Sequence, residues 1–295
     1  MKRTNRSLAS TLIAAIMALV LVSCGTTTSA TSGKTGMKYY DKFVAQMADH
    51  RVSANEADNT SWFNITEPTD EMRETVEAAR EAIRHSLGEY TDLDWSHFER
   101  VPIFACDIQH TRGAVGFYSE DDDCIYLDRT VMRSYGAQTA THAIAHELIH
   151  VLALPGNRTN IDEALTVYLA MEACPSDIVT YPFSYAFIWR YLRTHDEKDA
   201  IDAMRNGTLA ELVENDIGYP GVLSGDCDKL FEAVNAGAIN NTNMYVVIDI
   251  YTHYVQNTGG LDDASANVLN GMLGYLSDTP ESYEAMEYFQ KVLDS

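Results

Sequence analysis

Positive charge is scarce in this sequence: 21 Lys and Arg stand against 43 Asp and Glu in 295 residues, a formal charge of −22. So acidic a surface is repelled by phosphate backbones and anionic headgroups, which argues against a nucleic-acid partner and against an electrostatic grip on a membrane. Cysteine is sparse too, with 5 residues and no C-x-x-C pair, so no structural zinc knuckle forms from near neighbours. No internal repeat is visible. A single long apolar run exists, at the start of the chain, and it is too short and one-sided to favour a stable membrane span.

That run has a different reading. Lys2, Arg3 and Arg6 precede the apolar stretch Leu8 to Val22, the layout of a signal peptide over residues 1–23. It closes on Leu21-Val22-Ser23-Cys24, which resembles the bacterial lipobox, and the resemblance implies that Cys24 becomes the lipidated first residue of an exported lipoprotein, membrane-anchored on the periplasmic or cell-surface side. Loss of the leader removes three cations and no anion, taking the formal charge from −22 to −25. The acidity then reads as solubility, with a lean toward neutral or cationic peptides as substrates. Residues 24–36, rich in Thr, Ser and Gly, read as a flexible tether, and 37–295 as one domain large enough for a core.

Ordinary elements come first in that domain. Tyr39 to Met47 reads as a short helix and Trp62-Phe63 as a packed loop. In Thr69–Leu87, Met72, Val76, Ala79, Ile83 and Leu87 form one stripe, with Pro68 ahead and Gly88 behind, so a helix with a core face is expected. Arg100–Ile108 alternates as a strand does, and Ala114–Tyr118 with Cys124–Leu127 reads as a hairpin around the acids Glu120 to Asp123. Those four acids lack calcium-loop spacing and read as a solvated turn. His85 and His97 fall outside any ligand spacing and are expected at the surface or in packing.

The chemistry concentrates in Thr141–Leu152, which contains His146-Glu147-Leu148-Ile149-His150. Four residues make about one helical turn, so His146 and His150 leave one face and can both give a ring nitrogen to one metal ion. Glu147 points to the flank, where it can take a proton from an attacking water. The rest of the segment is apolar nearly all round, which predicts a buried helix, and histidines and a glutamate there need partners. His142, one turn earlier, either orients a ligand or is the first exposed residue.

After Pro155-Gly156 a second helix is expected from Thr159 or Asn160, carrying Asp162 and Glu163. H-E-x-x-H followed by a helix with an acid, small and apolar residues and a tyrosine resembles the gluzincins, the thermolysin-like and aminopeptidase-like zinc metallopeptidases. The resemblance implies Zn²⁺ held by His146, His150 and Glu163, with Asp162 the fallback. The competing reading of Glu163 is a capping box, Asn160-x-x-Glu163. The resemblance further implies an α+β fold: a zincin-like core of a small mixed sheet with an antiparallel edge hairpin and the H-E-x-x-H helix, then a mainly helical C-terminal half. It makes Gly113, Ala114, Val115 and Gly116 candidate contacts for a peptide added along the outer strand. It also makes Tyr181 or Tyr185, on a following helix, the candidate to stabilise an oxyanion, with His253 as a substitute.

With Cys24 lipidated, Cys106, Cys124, Cys174 and Cys227 remain, an even number in an exported chain, and Cys106–Cys124 with Cys174–Cys227 is the pairing expected from the hairpin. Residues 205–295 read as short helices broken at Gly, Asn and Asp, Gly259-Gly260 most clearly. The function expected is a lipid-anchored monomeric zinc metallopeptidase acting on peptides or proteins. The alternatives are a metal-stabilised binding lipoprotein without turnover and a zinc hydrolase of a non-peptide bond.

Overall fold

A computed structural model describes residues 36–49, 61–109, 116–130, 137–153, 158–177 and 179–295. The expected leader, Cys24, all but the last residue of the tether, Gly113, Ala114 and Val115 lie outside them. Among the described residues no helix is long and apolar enough to cross a membrane. The architecture is mixed α and β, and the chain divides into two units, 57–209 and the combination of 1–56 with 210–295. The sequence reading treats 37–295 as one domain.

In the unit 57–209 a sheet is ordered β1-β2-β4-β3, from β1 (Ser61–Thr66), β2 (Ile103–Gln109), β3 (Gly116–Ser119) and β4 (Cys124–Asp128). β1 runs antiparallel to β2, β2 parallel to β4, and β3 antiparallel to β4, so the hairpin's first strand is an outer edge. β4 is buried along its whole length, whereas β3 alternates buried and half-buried residues. Arg129, just after β4, donates to Thr66 Oγ1, to the Ala105 carbonyl and to Asp107 Oδ1, tying β1, β2 and β4 together.

Several expectations shift here. Trp62 and Phe63 belong to β1 rather than a loop. Arg100 closes a short helix, Trp95–Arg100, capped by the Asp94 side chain, so β2 starts at Ile103. The disulfide expectation fails: all four cysteines are buried and none is bridged. Cys106 pairs in register with Asp128, four positions along β4 from Cys124. At ~3.3 Å per residue that puts the two Cα atoms on the order of 13 Å apart, well beyond the ~7 Å a disulfide spans.

The helices of this unit are α2 (Asp70–Leu87), α3 (Trp95–Arg100), α4 (Ala137–Leu152), α5 (Asn160–Ala173), α6 (Pro182–Tyr191) and α7 (Glu197–Arg205). α2 buries the stripe expected of it, Met72, Val76, Ala79, Ile83 and Leu87, and the Thr69 hydroxyl accepts from the Met72 amide at its start. α4 packs against β3, α2, α3 and α5, with Ile144, Ala145, Leu148 and Ile149 fully buried. Its apolar circumference thus has a partner on every side.

The other unit contains α1 (Lys38–Asp49), α8 (Leu209–Ile217), α9 (Asp226–Asn235), α10 (Asn241–Asn257), α11 (Asp263–Leu273) and α12 (Pro280–Leu293). α10 is the central rod, touching α1, α9, α11 and α12, and it buries Tyr251 and Tyr254 completely. Gly259 and Gly260, at φ 100° and 83°, make the turn that ends it, a conformation disfavoured for any side chain with a Cβ.

Candidate metal centre

His146 and His150 sit one turn apart on α4, and their rings meet edge to face with Nε2 atoms 3.1 Å apart. Glu163 Oε2, from α5, lies 3.2 Å from His146 Nε2 and 3.3 Å from His150 Nε2. Three ligand atoms therefore converge on one point. Bonds of ~2.0–2.1 Å in a tetrahedral arrangement place ligand atoms on the order of 3.3–3.4 Å apart, so the trio has nearly the spacing that zinc requires. Two ring nitrogens at that distance repel unless a proton or a cation lies between them. His150 Nδ1 is buried with no hydrogen-bond partner among the described residues, so the polar contacts of that ring are made through Nε2.

The electrostatics fit a cation. Burial pushes the Glu163 carboxyl up, but the charge of His150 and the hydrogen bonds from both imidazoles outweigh it and hold the group well below the usual carboxylate range. Burial pulls His146 down, and the hydrogen bond to Glu163 with the charges of Glu147 and Glu163 raise it on balance, against the opposing charge of Arg158.

The competing cap is settled locally. Thr159, not Asn160, caps α5: its side chain accepts from the Asp162 amide, and Asp162 Oδ2 accepts from the Thr159 N–H at 2.7 Å and from its hydroxyl at 2.8 Å. The box is Thr159-x-x-Asp162, one residue earlier than the reading that involved Glu163. Asp162 is thereby committed to the helix start, and Glu163, a residue further round the turn, faces the histidines.

Glu147 stands apart from the trio. Its Oε2 accepts a 2.8 Å hydrogen bond from the Tyr118 N–H of β3. That amide points away from β4, so by the alternation of an antiparallel pair the Gly116 backbone groups face the same free edge. Gly116 has a different reason to be small than the one expected: a Cβ there would come within 2.6 Å of the Tyr126 carbonyl and 2.8 Å of the Leu127 side chain. Its own neighbour β4 demands the glycine.

The acidic turn is stapled rather than merely solvated. Asp123 Oδ1 accepts from the Tyr118 hydroxyl at 2.8 Å and lies 2.9 Å from His97 Nε2, while Tyr126 donates to Asp122. His97, expected to be a bystander, thus braces the strand whose amide holds Glu147. His142 is buried, with Nδ1 3.0 Å from the Cys174 carbonyl, and so links α4 to the end of α5.

Of the two candidate tyrosines, Tyr181 lies by the trio: its ring is parallel to that of His146, centroids 6.4 Å apart and 4° between planes. It caps α6 in a left-handed conformation, φ 52° and ψ 45°, unusual for a bulky residue and costly unless its surroundings enforce it. Tyr185 instead neighbours Tyr168, at 6.3 Å, and is pushed up by burial and the charge of Glu172. His253 belongs to the other unit, where its Nδ1 lies 2.9 Å from the Asp249 carbonyl. Compared with models of known families, with curated proteins and with solved structures, the chain matches none.

Proposed function

We propose that this chain is a zinc-dependent metallopeptidase on a zincin-like core, held at the envelope membrane by lipid on Cys24. The observation that carries the reading is the convergence of His146, His150 and Glu163 beside a carboxylate, Glu147, that takes no part in it. Zinc, when bound, acidifies water and polarises a carbonyl. His146, His150 and Glu163 are the residues to hold it. Glu147 is aimed by the Tyr118 amide and serves as the base that accepts the proton of the attacking water and returns it to the leaving amine.

A peptide is the substrate that suits the surroundings. Among the described residues β3 is an outer strand of the sheet and its Tyr118 amide meets Glu147, so an extended chain added along it passes the carboxylate with its backbone already aligned. Tyr181, stacked near His146, is the residue placed to steady charge on the carbonyl oxygen. The test is digestion of an unbiased peptide mixture by the mature protein with and without a zinc chelator, together with metal analysis. Stoichiometric zinc and chelator-sensitive cleavage are expected. Cleavage that ignores the chelator, or a protein that takes up no zinc, overturns the proposal.

A further inference from the structure

Arg158 is a cation in a chain where acids outnumber bases about two to one, and it directly precedes the Thr159 cap of the helix carrying Glu163. Its guanidinium lies 5.9 Å from the centre of the Tyr118 ring, and the Tyr118 amide donates to Glu147 at 2.8 Å. It therefore lies by the outer strand β3, at the residue whose amide aims Glu147. The side chain is 25 % exposed, and Glu120 Oε1, on a side chain 51 % exposed, stands 3.1 Å from Nη2. Even so, Nε and Nη2 are both buried and make no hydrogen bond among the described residues.

Arg84 shows how the same two atoms behave when satisfied: its Nε and Nη2 each donate at 2.6 Å, one to each oxygen of Glu99. This planar side-on fork matches a carboxylate and is something a lysine cannot offer. Nε has no acceptor and Nη2 has beside it only the carboxylate of the half-exposed Glu120, so the fork is not closed side-on as that of Arg84 is, and a carboxylate arriving with the substrate completes it by displacing Glu120.

We propose that the Nε–Nη2 edge of Arg158 receives a substrate carboxylate, making the site selective for peptides that carry an acid near the scissile bond. The inference rests on the peptidase reading. It opposes the lean toward neutral or cationic peptides drawn from net charge, because a group within hydrogen-bonding reach outweighs a screened surface field. The carboxylate is either the C-terminus of the peptide or the side chain of an Asp or Glu.

Binding separates these sources. The mature protein carrying Glu147→Gln is titrated, by fluorescence anisotropy, with labelled short peptides of one neutral sequence. One has a free C-terminus, and the others are amidated, either without an acid or with a single Glu moved through each position. The free-acid peptide or one Glu-bearing peptide is expected to bind about 10–100-fold more tightly than the neutral amide. Arg158→Gln should erase that gap, and Arg158→Lys should recover only part of it, with far-UV circular dichroism and melting temperature matching those of the Glu147→Gln parent as the check on the fold. Equal binding of the whole set, or an acid preference that survives both substitutions, overturns the assignment. Cleavage by the unsubstituted protein is scored separately: acid-dependent binding without chelator-sensitive cleavage would sink the peptidase reading and leave Arg158 a carboxylate receptor, and the reverse pattern would do the opposite.

Discussion

Asp249 and Glu163, one in each unit, are both covered carboxylates with histidine neighbours, and they are satisfied in different ways. Asp249 is fully buried on α10, and its Oδ2 accepts the Tyr39 and Tyr40 amides at 2.7 Å and 3.2 Å while its Oδ1 accepts the Tyr288 hydroxyl at 3.0 Å. Fixed donors saturate it, and the result is a joint: the first turn of α1 is capped by a residue more than two hundred positions away. Glu163 instead meets two ring nitrogens that face each other. Asp249 meets fixed donors, whereas the imidazole nitrogens that meet Glu163 serve either as donors or as metal ligands. The difference lies in the partners and not in the carboxylate.

The sharpest way to break that comparison is Glu163→Ala. It should abolish zinc retention and activity, since only two ligands remain, while Asp162→Ala, which removes the cap alone, should cost about 1 kcal/mol of stability and keep the metal. Zinc per chain and denaturant midpoints read both. If Glu163→Ala keeps its zinc and merely loses stability, the two acids have been assigned the wrong way round.

Next in size is Glu147→Gln, expected to lower turnover by roughly 10²–10⁴-fold while zinc content stays stoichiometric, because shape is kept and basicity is lost. Loss of zinc in this variant would mean that Glu147 is itself a ligand. On the other side of the comparison, Asp249→Ala strands two amides and a hydroxyl and should destabilise the protein by about 2–4 kcal/mol in urea, with zinc content untouched. A change in zinc without a change in stability would make Asp249 something other than a joint.

The smallest effect is a pH dependence. Burial pulls His253 down, but the hydrogen bonds to Asp249 and its charge raise the imidazole above its ordinary value on balance. A raised folded pKa gives stability that is fully present below the unfolded value of about 6.5 and is lost as pH rises through the folded one. The melting temperature should therefore fall between about pH 6 and pH 8, less so in His253→Gln. A slope that is identical in the variant would place the linkage elsewhere.

Much of this was legible in the chain and some was not, for reasons that differ residue by residue. His146 and His150 share a face because the helical period of 3.6 is a local property, and the apolar run around them required a buried helix wherever it packed. The stripe on α2 and the edge hairpin were readable in the same way. Arg158 and the role of His97 were not, since neither belongs to a motif; scarcity of cations near an acidic turn is the one hint the order of residues contains.

What the sequence by itself determined was therefore periodic: which residues line up along one helix or one strand, and that two histidines and a flanking glutamate travel together. Tertiary structure decided everything that turns on a single step of register or on contact between distant segments. It chose Thr159 over Asn160 as the cap, which released Glu163 to the histidines; it set Tyr181, not Tyr185, against His146; it brought the Tyr118 amide to Glu147; and it kept Cys106 and Cys124 apart on neighbouring strands. The physical reason is one of range. Backbone sterics and hydrogen-bond period act over a few residues, whereas a three-atom focus depends on how separate elements pack, and a shift of one residue there rotates a side chain by about 100° on a helix.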